Sequence, residues 1–333
     1  MRGWGDGAGN LLRPPGVRTG DRERAALGCG MLVPPTSDRR RAVARRLARR
    51  LGAGGAVALT ATLVDCAPAP PPAATPDGAA PVTGAAGATA PPVTRTLAAD
   101  VAVTRLAPGL WMHVTRDAAT GYPSNGMLLE TESGAVLFDT AWDDRQTRLL
   151  LDWAAGELRR PVRRAVVTHA HADRVGGLRA LRDAGVAVQA LGATTRLVAA
   201  EGAPAPDSIA ALAAGPVTDA AGYELFFPGP GHAPDNVVVY FAGSRVLFGG
   251  CLVKADTATT VGNVADADVD RWPETVLRVR ARYAAPAAGR AAAALVVPGH
   301  GAVSPPSALD STAALIRAKG PAAREALRRR GGR

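Results

Sequence analysis

The chain has 333 residues, 47% of them apolar and 20% charged, which is enough for a substantial core and too apolar for an intrinsically disordered protein. Its formal net charge of +10 sits at the ends: residues 1–50 carry 12 arginines against 4 acidic residues, and the stretch after 316 carries 7 cations against 1 glutamate. The region between is net acidic, so the basic balance gives no support for a nucleic-acid partner.

The basic stretch RRRAVARRLARR, residues 39–50, leads into the apolar run LGAGGAVALTATLV, residues 51–64. That run is too short to span a bilayer and has the length of a signal-peptide core, so residues 1–65 are predicted to be an N-terminal extension with an export signal. Translation from Met31 would place that signal conventionally, and Arg40 and Arg41 faintly match a twin-arginine pattern. An exported chain implies the periplasm or cell envelope. TLVDC, with Asp65 where a small residue is usual, loosely matches a lipoprotein processing site, so membrane attachment through a lipidated Cys66 is an expectation. Residues 66–97, rich in Pro, Ala and Gly, cannot bury enough apolar surface to fold and read as a disordered linker. A folded domain is predicted over 98–320, followed by a basic tail over 321–333, and no internal repeat is found. Cys29, Cys66 and Cys251 are the chain's three cysteines, so the predicted domain holds one thiol and cannot form an internal disulfide.

Within the domain, Trp111 and His113 alternate on a predicted strand, and His113 reads as structural. VLFDTAW ends a strand at Asp139, which could cap a helix starting near Asp143. RAVVT, residues 164–168, is a short valine-rich strand that delivers HAHADRVGG, residues 169–177. His169 and His171 share a side because side-chain direction repeats every two residues. Val175, Leu178 and Leu181 then recur at helical intervals, which puts the motif on a strand-to-helix loop, where α/β proteins keep their chemistry. PGPGHAPDN places His232 on a Gly/Pro loop. VVVYFAGSRVLFGGCLVKA, residues 237–255, reads as two strands around the Gly243-Ser244 turn, ending at Cys251. Trp272, Val276, Val279 and Tyr283 form one face of a helix and belong to the core. ALVVPGHGAV brings His300 to another strand end.

Four of the five histidines, Cys251 and Asp173 thus lie on loops at strand ends. Three neutral imidazoles suit a tetrahedral zinc with an open fourth position, a catalytic rather than a closed structural site; Asp and Cys add anionic charge for a second ion. The other nucleophile available, a Cys251–His dyad, would leave the remaining donors without work.

HAHAD, GHAPDN, GGCLVK, GN and PGHG, in this order over residues 98–320, resemble the metallo-β-lactamases of subclass B1. The resemblance implies an α/β fold, a four-layer αβ/βα sandwich of two mixed sheets with external helices, carrying two zinc ions per chain. His169, His171 and His232 match the family's three-histidine site, and Asp173, Cys251 and His300 match the second. Lys254, one of two lysines against 37 arginines, matches the lysine that pairs with the substrate carboxylate. Asn263, in VGNVADAD, matches the asparagine beside the β-lactam carbonyl; Asp173, Lys254 and Asn263 are the residues expected to take part in the reaction itself. Asp139 matches an aspartate that braces the metal loops, and Arg174, with Cys251, departs from the glyoxalase, phosphodiesterase and subclass B3 patterns. Residues 113–126 occupy the place of a hairpin that closes over substrate, here short, with Tyr122 near its tip. The activity implied is hydrolysis of the β-lactam amide of penicillins, cephalosporins or carbapenems by a metal-bound hydroxide in a monomer, which would confer antibiotic resistance. The alternatives are a hydrolase of the same fold acting on another ester, lactone or thioester, and a non-catalytic zinc-binding protein of the envelope.

Overall fold

The computed structural model describes residues 93–331; the expected export signal, Cys66 with its lipidation, and the linker as far as residue 92 lie outside the described residues. A first sheet takes its strands in chain order: β1 (Thr94–Ala98), β2 (Val101–Ala107), β3 (Leu110–Arg116), β4 (Pro123–Thr131), β5 (Gly134–Phe138), β6 (Val162–Val167), β7 (Ala187–Ala190) and β8 (Asp207–Ser208). β1 to β5 form an antiparallel meander, whereas β5 to β8 pair in parallel. The second sheet holds β9 (Val217–Thr218), β10 (Tyr223–Phe226), β11 (Val238–Phe241), β12 (Val246–Gly250) and β13 (Leu295–Pro298), with only β12 and β13 parallel.

Two-residue periodicity assigns each strand residue to a layer. In β5, Ala135 and Leu137 face outward, while Val136 and Phe138 face the second sheet. Between the sheets, Phe138 meets Tyr223 and Phe241 edge-on at 4.9 and 5.0 Å, an arrangement aromatic quadrupoles favour. Outside the first sheet pack the helices α1 (Asp144–Gly156), α2 (Ala172–Val175), α3 (Leu178–Asp183) and α4 (Gly192–Ala200), through Leu150, Trp153, Leu181 and Val198. Outside the second sheet pack α5 (Trp272–Tyr283) and α6 (Ala308–Gly331), whose Trp272, Val276, Val279, Tyr283 and Ile316 are buried on Tyr240, Leu247 and Val296. The result is the four-layer α/β sandwich.

Several boundaries differ from the sequence reading. β1 begins inside the expected linker and crosses its end, because Arg105 donates to the Val93 carbonyl at 2.9 Å and Leu97 packs on the outer core. Helix α6 runs on through Pro321 to Gly331, over most of the expected tail; Arg324 reaches Asp270 at 2.6 Å. The helix expected after HAHADR is broken into α2 and α3. At the break, a Cβ on Gly176 would lie 2.0 Å from the Trp142 carbonyl oxygen, and one on Gly177 would lie 1.8 Å from Thr147 Oγ1. Only glycine allows the chain to pass so close. Among the described residues, no helix is long and apolar enough to cross a membrane.

Candidate metal centre

Strand β6 continues through Thr168 into His169 and His171, and α2 carries Asp173 and Arg174 on its single turn. The second sheet supplies the rest. Cys251 follows β12 directly, the parallel register pairs Gly250 with Pro298 so that His300 emerges beside it, and His232 precedes β11. The structure therefore brings all six predicted donors to one rim of the sandwich.

His169 Nε2 lies 3.2 Å from His171 Nδ1, which lies 3.1 Å from His232 Nε2. Donors bound at about 2.0–2.1 Å to a tetrahedral zinc stand about 3.3 Å apart, so three nitrogens at these spacings surround a volume of that size. His171 Nε2 meets Asp266 Oδ2 at 2.9 Å, a bond that directs its proton outward and leaves the Nδ1 lone pair facing the other imidazoles. A second triangle adjoins the first: Cys251 Sγ is 3.1 Å from His300 Nε2 and 3.5 Å from Asp173 Oδ2, which is 3.4 Å from His300 Nε2. His300 Nδ1 donates to the Pro123 carbonyl at 2.6 Å, again turning the other nitrogen inward. The soft thiolate, carboxylate and imidazole donors of this triangle suit zinc.

Burial, reinforced by the charge of Arg174, holds His169 well below the usual imidazole range and His300 at about 4; burial and the neighbouring His169 do the same to His232. These rings are neutral at physiological pH, as a metal requires. Burial pushes the Cys251 thiol up to about 12 against the pull of Arg174. For Asp173 the burial that would raise its pKa is outweighed by Arg174 and the imidazoles, and the carboxylate stays below its ordinary range.

Arg174 is enclosed beneath this cluster. Its Nη2 is 2.8 Å from Asp173 Oδ2 and donates at 2.9 Å to both Cys251 Sγ and the Gly299 carbonyl; Nη1 reaches the Asn125 carbonyl and lies 3.3 Å from Asp139 Oδ2. Asp139 does not cap α1: Asp143 does, accepting the Gln146 N–H at 2.7 Å. Asp139, at φ 63°, instead accepts the N–H and hydroxyl of Thr168 at 2.7 and 2.8 Å, and so fixes the residue before His169. Lys254 is half-buried, with Nζ 5.1 Å from the centre of the Trp272 ring, and the loss of surrounding water lowers its pKa. Asn263 is exposed; its Oδ1 accepts the Ala265 N–H at 3.0 Å, leaving its amide as a donor. Together with Tyr122, Trp142, His171, Asp173, His232 and His300, these two side chains line a cleft of about 320 Å³. Tyr122 packs on His300 with ring centres 4.8 Å apart. His113 is buried away from the cleft, its ring filling the space opposite Gly126.

The sequence reading missed Asp235, which accepts the Ala170 N–H at 3.0 Å and the Thr194 hydroxyl at 2.7 Å, although its place in GHAPDN was a signal. It also missed Trp142 and Asp266, for which the sequence carries no distinguishing pattern. A larger concavity of about 960 Å³ lies at the β4–β5 turn, but its Arg164 is paired with Asp219 at 2.9 Å and, among the described residues, no cluster of metal-binding donors faces it. Size alone does not locate the chemistry here.

A family profile described as the metallo-beta-lactamase superfamily matches residues 119–321. Metallo-beta-lactamase type 2 of Bacillus cereus is 34% identical over 223 residues, 65% of this chain and 83% of that protein. The protein of the same name from Bacteroides fragilis is 35% identical over 205 residues, 61% of this chain and 80% of that one. Among solved structures, the metallo-beta-lactamase FIM-1 from Pseudomonas aeruginosa, in a mono-zinc form, superposes with a TM-score of 0.61 at 34% identity, covering 67% of this chain and 98% of that one. Sequence and fold agree over the same span that carries the clustered donors, and the chain belongs to the metallo-β-lactamase superfamily.

Proposed function

We propose that the protein is an exported, monomeric zinc hydrolase of subclass B1 that opens the amide of β-lactam antibiotics, penicillins, cephalosporins and carbapenems among them. The observation that carries this reading is the pair of adjoining donor triangles sharing one cleft with Lys254 and the Asn263 amide. His169, His171 and His232 would hold one zinc ion, and Asp173, Cys251 and His300 the other. Zinc bound there supplies a Lewis acid and brings the pKa of water near 7.

The chain's own residues do the rest. The Lys254 ammonium, half-withdrawn from water over Trp272, offers a strong partner to the carboxylate that β-lactams carry. The Asn263 amide, on the lining of the same cleft with its N–H free to donate, would stabilise the negative charge that develops on the lactam carbonyl. Asp173, kept ionised by Arg174, would give the second ion an anionic donor and hold it beside Cys251 and His300.

Chelation should abolish hydrolysis of nitrocefin and of a carbapenem, and zinc should restore it; Lys254→Met should raise KM far more than it lowers kcat. Turnover that survives chelation refutes the metal chemistry. Turnover of esters, lactones or thioesters without β-lactams moves the protein to another substrate class, and zinc binding without any turnover makes it a zinc-binding envelope protein.

A further inference from the structure

From Cys251 to Asn263 the chain forms neither helix nor strand, yet this segment carries the thiol, Lys254 and Asn263. Its backbone cannot be positioned by a ladder of its own, so its hydrogen bonds must be met from elsewhere. α6 meets several of them, while Ser304 Oγ accepts the Asp256 N–H at 3.1 Å. Thr312 Oγ1, buried, accepts the Lys254 backbone N–H at 3.0 Å while donating to the Ala308 carbonyl at 2.6 Å. From the residue before it, the Ser311 hydroxyl donates to Asp256 Oδ1 at 2.7 Å, and two turns further along the helix Lys319 Nζ donates to the Thr259 carbonyl at 2.6 Å. Trp272 Nε1 secures the near end through the Leu252 carbonyl at 2.8 Å. The chain's two lysines therefore bracket one loop, Lys254 within it and Lys319 fastening it from the helix.

We propose that Thr312 is a positioning residue for Lys254, and that α6, through Ser311, Thr312 and Lys319, sets the shape of the substrate loop 254–263. The proposal rests on the reading of Lys254 as the partner of the substrate carboxylate. Thr312 touches neither substrate nor metal; its hydroxyl fixes the backbone from which the lysine side chain extends. A second cleft of about 240 Å³, lined by Thr257, Thr259, Thr260 and Gly262, opens beside the first and shares Lys254, Tyr122 and His300 with it. Its wall is the same fastened loop, so loosening the loop alters both clefts together.

Thr312→Val keeps the shape of the side chain and removes the hydroxyl, whereas Thr312→Ser keeps the hydroxyl. With nitrocefin, Thr312→Val is expected to raise KM about tenfold with kcat within about twofold, and Thr312→Ser to stay near the parent enzyme, because a buried N–H left without its acceptor is costly. In parallel, the zinc-loaded proteins are compared by hydrogen exchange. The amides of 254–260 should exchange faster in Thr312→Val, those of 257–261 faster in Lys319→Met, and zinc content should be unchanged in both. Unaltered exchange overturns the proposal, as does faster exchange with an unchanged KM or an equal effect of the Val and Ser variants. If the parent enzyme turns over no β-lactam, the proposed function fails, and the exchange rates still decide whether α6 holds the loop.

Discussion

Arg174 and Asp173, neighbours in sequence, meet at 2.8 Å between guanidinium and carboxylate, with the arginine side chain wholly enclosed. The same guanidinium faces Asp139 and Cys251, so one cation balances three groups that are or can become anionic. Removing one member of a buried ionic network leaves uncompensated charge and typically costs about 3–5 kcal/mol. Arg174→Met should lower the stability of the metal-free protein by about that amount in urea denaturation. Arg174→Lys should recover less than half of the loss, because an ammonium cannot reach the Asn125 and Gly299 carbonyls together with the carboxylates. A Met variant within about 1 kcal/mol of the parent contradicts this account.

Cys251 and His300 stand at the ends of adjacent parallel strands and complete the second donor triangle. Cys251→Ser replaces the soft donor with a hydroxyl that does not ionise near neutrality. Zinc bound per chain, measured by mass spectrometry of metals after dialysis, should fall from two to one, with hydrolysis reduced at least about a hundredfold. Retention of two zinc ions would move the second site elsewhere.

Far from the cleft, Glu224 accepts from Arg282 at 2.7 and 2.8 Å and from the Tyr283 hydroxyl at 2.6 Å. Burial alone would raise its pKa, but these bonds prevail and hold it below its ordinary value of 4.5. A carboxyl with a depressed folded-state pKa contributes stability that is fully present above the unfolded value and is lost as pH falls through the folded one. Glu224→Gln should therefore be less stable than the parent near neutrality, and the difference should shrink as pH drops below about 4.5. Denaturant midpoints measured across that range test it; a difference independent of pH contradicts the ionic contribution.

Trp272 is buried under both Lys254 and His232, its ring centre 5.4 Å from that of His232. Trp272→Phe removes the bond to the Leu252 carbonyl and part of the floor beneath the lysine. A stability loss of about 2 kcal/mol is expected, with KM raised more than kcat is lowered; steady-state kinetics beside thermal unfolding separate the two effects.

The donor set was legible because strand periodicity and glycine-flanked loops mark strand ends, and because histidines are few enough for their placement to stand out. The four layers were implied by the family resemblance and not by local pattern: β5, GAVLF, is apolar and buried at every position, so nothing in it tells the outer face from the inner one. What the sequence did not yield depends on contacts between distant segments. Asp139 was readable either as a cap or as a brace, and only the approach of Thr168 distinguishes the two. Nothing local to Thr312 or Asp266 separates them from ordinary surface residues. The break at Gly176-Gly177 is dictated by Trp142 and Thr147, some thirty residues upstream in the chain.

The donor groups divide evenly between the two sheets, three following strand β6 and three at the strand ends of the second sheet. A chain severed in the exposed stretch near Gly202 would leave each fragment with three, and neither fragment could assemble a complete centre alone. Zinc would then act as a rivet across the midline, and recovery of turnover on mixing the two pieces would report their reunion.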